Sequence, residues 1–126
     1  MKPSPLRALV IDDMAVMRHS LMMILKHHGF ETTGASEGRV ALDLLARRRY
    51  DLILCDWYMP GMNGSELIRK IRALRHDTPI IMVTAEGDPE RVRELIGLGV
   101  SGYVIKPFRS EVLMNIVRKL FPRLKT

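Results

Sequence analysis

Leu52-Ile53-Leu54-Cys55-Asp56-Trp57-Tyr58-Met59-Pro60-Gly61 opens with four apolar residues that end on a carboxylate, and Pro60-Gly61 then turns the chain. Four residues are too few for a helix. Bounded this way, they read as a short strand buried on both faces that carries Asp56 to its carboxyl end. A strand with no polar face belongs inside a parallel sheet, where helices cover both sides.

Working outward, the same pattern repeats on either side. Leu6–Ile11, Phe30–Thr33, Pro79–Val83 and Tyr103–Ile105 are further Val-, Ile- and Leu-rich runs, and stretches with helical spacing lie between them. The first helix is expected from about Asp13 to His28, with Met14, Met17, Leu21, Ile24 and Leu25 inward and Gly29 as its stop. The second spans about Ser36 to Arg48 with Val40, Leu44 and Leu45 inward. The third begins near Asn63–Ser65 and carries Leu67, Ile68, Ile71 and Leu74. Asp88-Pro89-Glu90 opens the fourth, a capping residue followed by proline at the first helical position, and Gly99 ends it. Gly97 should weaken its last turn. The fifth starts at Ser110-Glu111 with Val112, Leu113, Ile116, Val117 and Leu120 inward. Strict βα alternation predicts one doubly wound α/β domain over residues 1–126, its ligand site at the carboxyl ends of the strands.

Composition agrees with this reading. The 126 residues are 47% hydrophobic and 27% charged, as in ordinary globular proteins, and no apolar run reaches bilayer length. Met1-Lys2-Pro3-Ser4-Pro5 lacks a signal-peptide apolar stretch, and one cysteine cannot form an internal disulfide, so a cytoplasmic protein without membrane contact is expected. The net charge of +6 is spread over helix ends: Arg47–Arg49, then Arg69, Lys70, Arg72 and Arg75, then Arg118, Lys119, Arg123 and Lys125. Cations there complement helix dipoles, and no aromatics interleave with them, so direct nucleic-acid binding is not expected.

The chemistry follows from which polar residues the strands deliver. Asp12-Asp13, Asp56, Thr84 and Lys106 all fall at carboxyl ends, placing three carboxylates, a hydroxyl and an ammonium around one crevice. Singly, Asp12 or Asp13 serves equally well as a helix cap, and Asp56 as the start of a turn. Jointly, crowded carboxylates call for a hard divalent cation such as Mg²⁺. Asp56 is then a carboxylate nucleophile, with Lys106 and Thr84 placed to hold phosphoryl oxygens.

Four segments together are specific: Val10-Ile11-Asp12-Asp13, Asp56-Trp57-Tyr58-Met59-Pro60-Gly61-Met62-Asn63-Gly64, Met82-Val83-Thr84-Ala85 and Ser101-Gly102-Tyr103-Val104-Ile105-Lys106-Pro107-Phe108. With them the chain resembles, over nearly its whole length, the receiver domains of bacterial two-component response regulators, most nearly the stand-alone chemotaxis type. The resemblance implies a flavodoxin-like (βα)5 three-layer sandwich with sheet order 2-1-3-4-5. It implies Asp56 as phosphoacceptor, and Mg²⁺ held by Asp12, Asp13, Asp56 and the Tyr58 backbone carbonyl. Thr84 and Lys106 would contact the phosphoryl group, the bond before Pro107 would be cis, and Tyr103 would be the switch aromatic. The donor would be a histidine kinase or histidine phosphotransfer protein. The output would run through the face of helix 4, strand 5 and helix 5 to a downstream protein, from a monomer or a phosphorylation-dependent dimer.

Tyr58 stands where the chemotaxis type has a small polar residue. With Glu86, two residues after Thr84, it is expected to border the path of hydrolytic water and set phosphoryl lifetime. Met22 and Met23 fall off the predicted inward arc of helix 1 and are expected to help dock the phosphodonor. Cys55 should pack in the core, and His19, His27 and His28 lack partners for metal binding. A small phosphatase or phosphotransferase working through an aspartyl phosphate is the rival, disfavoured by adjacent rather than alternate aspartates and by short loops. A nucleotide-binding module is excluded by the absence of either Gly-rich fingerprint.

Overall fold

In the computed structural model, which describes residues 4–75 and 77–124, ten elements alternate without a break. They are β1 (Leu6–Ile11), α1 (Ala15–His27), β2 (Phe30–Ala35), α2 (Gly38–Arg47), β3 (Leu52–Cys55), α3 (Gly64–Leu74), β4 (Ile80–Thr84), α4 (Pro89–Gly97), β5 (Gly102–Ile105) and α5 (Ser110–Leu120). The start of the chain through Pro3, and Lys125 of the last basic cluster, lie outside the described residues. The sheet is parallel throughout, in the expected order β2-β1-β3-β4-β5.

Side-chain alternation along the three inner strands builds two separate cores. Leu9, Ile11, Ile53, Cys55, Ile80 and Met82 face α2, α3 and α4, where Ala41, Leu45, Leu67, Ile68, Ile71 and Leu95 meet them. Ala8, Val10, Leu52, Leu54, Ile81 and Val83 face α1 and α5, meeting Leu21, Leu25, Leu113, Met114 and Val117. Each such fully buried aliphatic side chain contributes about 1.5–3 kcal/mol of transfer free energy, so the inner strands cannot slip in register.

The inward faces of the helices depart from expectation in instructive ways. Met14 is 60% exposed, because α1 begins only at Ala15; the Met14 N–H is drawn to Asp12 Oδ1 at 2.9 Å ahead of the first turn. Met22, expected to point outward, is half-buried and packs on the α1–α5 core, where a Cβ on Gly34 would come within 3.0 Å of its sulfur. Met23 is exposed as expected. On α2 the inner face is Gly38, Ala41 and Leu45, while Val40 is exposed. Small residues bring this helix close: a Cβ on Gly38 would meet the Met62 sulfur at 2.9 Å. Leu74 and Val112 also face outward, and Met114 takes the buried place on α5.

Local chemistry fixes the ends nearest the site. Asn63 Oδ1 accepts the Glu66 N–H at 2.9 Å and starts α3. Gly64 is required next to it, since a Cβ there would lie 2.8 Å from the Trp57 Cα. Asp88 caps α4 with Pro89 after it, as expected. That helix ends at Gly97, two residues before Gly99. Arg72, from the last turn of α3, donates to the carbonyls of Leu98 (3.2 Å), Gly99 (2.8 Å), Thr78 (2.8 Å) and Arg75 (3.2 Å). Among the described residues no helix is long and apolar enough to cross a membrane.

Candidate functional site

Backbone bonds that continue past the strand ends hold the site residues in place. The Asp12 N–H donates to Ala35 O (3.1 Å), Asp56 N–H to Ile11 O (3.1 Å) and Lys106 N–H to Thr84 O (2.9 Å). Asp12, Asp56 and Thr84 are buried, and Asp13 is exposed at the rim. Carboxylate oxygens of Asp12, Asp13 and Asp56 all lie within 4.8 Å of one another.

Lys106 Nζ sits between two of them, donating to Asp12 Oδ2 at 2.8 Å and Asp56 Oδ2 at 2.9 Å. Burial works to lower its pKa, but the bonds to Asp12 and Asp56 and their charges outweigh this and hold it above the ordinary lysine value. One ammonium against three carboxylates leaves an excess of negative charge in a set of oxygen donors only. That set suits a hard divalent cation such as Mg²⁺ and not a soft one. No N–H group among the described residues takes the Tyr58 carbonyl, whereas its neighbour Trp57 O accepts the Gly64 N–H at 2.8 Å.

Thr84 Oγ1 accepts from the Trp57 N–H (3.3 Å) and the Glu86 N–H (3.2 Å), which ties the loop after β4 to the loop after β3. The Tyr103 hydroxyl donates to the Glu86 carbonyl at 2.6 Å, and burial pushes its phenol up to about 12. The Lys106-Pro107 bond is cis, as expected. Cys55 is buried beside Asp56, and burial drives its thiol far above the ordinary value, a packing residue and not a reactive one.

Tyr58 and Glu86 meet across the mouth of the crevice. The Tyr58 hydroxyl donates to Glu86 Oε1 at 3.1 Å, and Glu86 Oε2 accepts the Asp88 N–H at 3.0 Å. The Glu86 carboxyl is held below the usual carboxylate range by the Asp88 N–H first, then by Arg91 and Tyr58. Two arginines here had no motif to mark them. Arg18 donates to the Asp12 carbonyl at 2.9 Å, one turn into α1, and Arg91 donates to Glu86 Oε1 from the first turn of α4. Their offsets from Asp12 and Glu86 were the sole signal. Met23 is exposed on α1, with Met14 and Val16 also exposed on or beside that helix.

A family model for the response regulator receiver domain matches residues 8–118, which hold every residue of this crevice. The chain belongs to that family. As a receiver domain it is 39% identical over 122 residues to the chemotaxis protein CheY of Pseudomonas aeruginosa, covering 94% of this chain and 98% of that one. Chemotaxis protein CheY-3 of Vibrio cholerae is 38% identical over 123 residues, covering 94% of both chains. Among solved structures, the Vibrio cholerae chemotaxis protein CheY4 superposes with a TM-score of 0.87 at 32% identity, covering 94% of this receiver and all of that chain. A response regulator receiver protein from Pseudomonas putida gives a TM-score of 0.88 at 32% identity, covering 94% and 99%.

Proposed function

We propose that this receiver domain is a cytoplasmic phosphorylation switch in which Asp56 accepts a phosphoryl group from a histidine kinase or histidine phosphotransfer protein. The observation that carries the reading is Lys106 Nζ bonded at once to Asp12 and Asp56, beside the exposed carboxylate of Asp13. An oxygen of Asp56 attacks phosphorus, the bond to the donor imidazole nitrogen breaks, and that nitrogen keeps the electron pair. Lys106 is already within reach of the acceptor and follows the new charge. Asp12, Asp13, Asp56 and the Tyr58 carbonyl would hold Mg²⁺, which would supply positive charge against the phosphoryl oxygens.

The signal then travels through Thr84. Its hydroxyl turns toward a phosphoryl oxygen, the Glu86 backbone moves with it, and Tyr103, bonded to that carbonyl, follows. Ile96 on α4, Ile105 on β5 and Val112 on α5 are exposed, so the α4–β5–α5 face offers apolar contacts to a downstream protein. The likeness to CheY proteins supports an output in chemotaxis or motility. The donor docks on α1 through Met23, with Met14 and Val16, while Met22 supports the helix from beneath.

The test is phosphorylation by acetyl phosphate with Mg²⁺. Wild type takes up label at one site; Asp56→Asn takes up none, and neither does wild type with the metal chelated. Stable label on Asp56→Asn would refute the assignment, and turnover of small phosphate esters would move the protein to the enzyme reading.

A further inference from the structure

The Glu86 side chain is 7% exposed, and its ion-pair partner Arg91 lies on another element, the first turn of α4. The Arg91 guanidinium also stacks over the ring of Trp57, 5.2 Å from its centroid. Trp57 is buried and follows Asp56 directly. Arg91 therefore touches, in one side chain, the residue next to the acceptor and the carboxylate that receives the Tyr58 hydroxyl. A buried carboxylate needs such partners; without Arg91, Glu86 keeps the Asp88 N–H on Oε2 but loses the cation that pairs with Oε1, the oxygen that also receives Tyr58.

We infer that Arg91 is a positioning residue for phosphoryl lifetime: it fixes Glu86, Glu86 fixes the Tyr58 ring across the crevice mouth, and the seat of α4 thereby sets how readily water reaches Asp56. This rests on the proposed acceptor role of Asp56. The chain of contacts gives a direction. When the N-terminal turn of α4 shifts, the guanidinium moves with it, the carboxylate is released, and Tyr58 loses its acceptor. Hydrolysis requires water in line with the bond to Asp56, and a ring held over that approach obstructs it.

The experiment measures phosphate loss from proteins labelled with acetyl phosphate, comparing wild type, Arg91→Ala, Arg91→Lys, Tyr58→Phe and the double variant Arg91→Ala with Tyr58→Phe. Arg91→Ala is expected to lose phosphate about threefold to tenfold faster, Arg91→Lys to stay near wild type, and Arg91→Ala to add little once the Tyr58 hydroxyl is gone. An unchanged rate in Arg91→Ala, or the same acceleration in both backgrounds, overturns the inference. Wild type that takes no label at all defeats the acceptor reading instead. Arg91 is then judged on Trp57, the single tryptophan, whose acrylamide quenching rises in Arg91→Ala and returns in Arg91→Lys. Equal quenching in all three proteins overturns it independently.

Discussion

The Tyr58 hydroxyl donates to Glu86 Oε1 at 3.1 Å, joining the residue two past Asp56 to the residue two past Thr84. The ring is about half exposed, and that bond holds its hydroxyl at the carboxylate. If the ring shields the bond to Asp56, as proposed, a small polar side chain in its place would both open the approach and offer a group able to hold water in line. Tyr58→Asn is therefore expected to speed phosphate loss about several-fold, read as phosphate release under fixed Mg²⁺. An unchanged or slower rate would mean that the ring does not shield the bond.

Tyr103 carries a pH signature. Its phenol is raised from an ordinary value of 10.0 to about 12, burial being the largest cause. A raised pKa means that the folded state favours the protonated hydroxyl. The stability it contributes is whole below pH 10 and is lost as pH climbs toward about 12. Denaturant unfolding of wild type and Tyr103→Phe should thus show a gap that is constant at lower pH and narrows through that window. A gap that widens there would reverse the sign.

The two methionines of α1 should separate cleanly. Met22 packs on the core against Gly34, so Met22→Asp buries a charge and is expected to cost about 1–3 kcal/mol in denaturant unfolding. Met23 is 66% exposed, so Met23→Asp should stay within about 0.5 kcal/mol of wild type. The same Met23 substitution should slow transfer from a phosphodonor protein and leave labelling by acetyl phosphate unchanged. A fall in both rates would show that it had disturbed Asp12 and Asp13 at the head of the helix.

These methionines also show where a sequence is readable and where it is not. Runs such as Leu52–Cys55 announce themselves because both faces of an inner strand are buried, and strand ends fix which polar residues share an edge. That logic puts Asp12, Asp13, Asp56, Thr84 and Lys106 on one edge from the sequence alone, and the fold gathers them there. Helix faces were less legible. Counting large apolar residues put Val40 inward, whereas closeness made possible by Gly38 and Ala41 decides the rotation of α2. Met14 looked helical and inward until the Asp12 carboxylate delayed the first turn. Arg18 and Arg91 escaped notice because a lone arginine on a helix carries no pattern; only the fold shows what its guanidinium reaches.

The four carbonyls gathered by Arg72 have a mechanical consequence. Two of them, Leu98 O and Gly99 O, belong to the chain just after α4, so that end of the helix is moored to α3 and to the entry of β4. The opposite end is held by the contacts of Arg91 and the cap of Asp88, which lie at the crevice. A rod moored in this way at one end does not slide; it tilts about its mooring. Small displacements of the loop after β4 would then act at the far end of the lever, near Asp88, with Arg72 as the fulcrum, and Ile96 near the mooring would turn more than it travels.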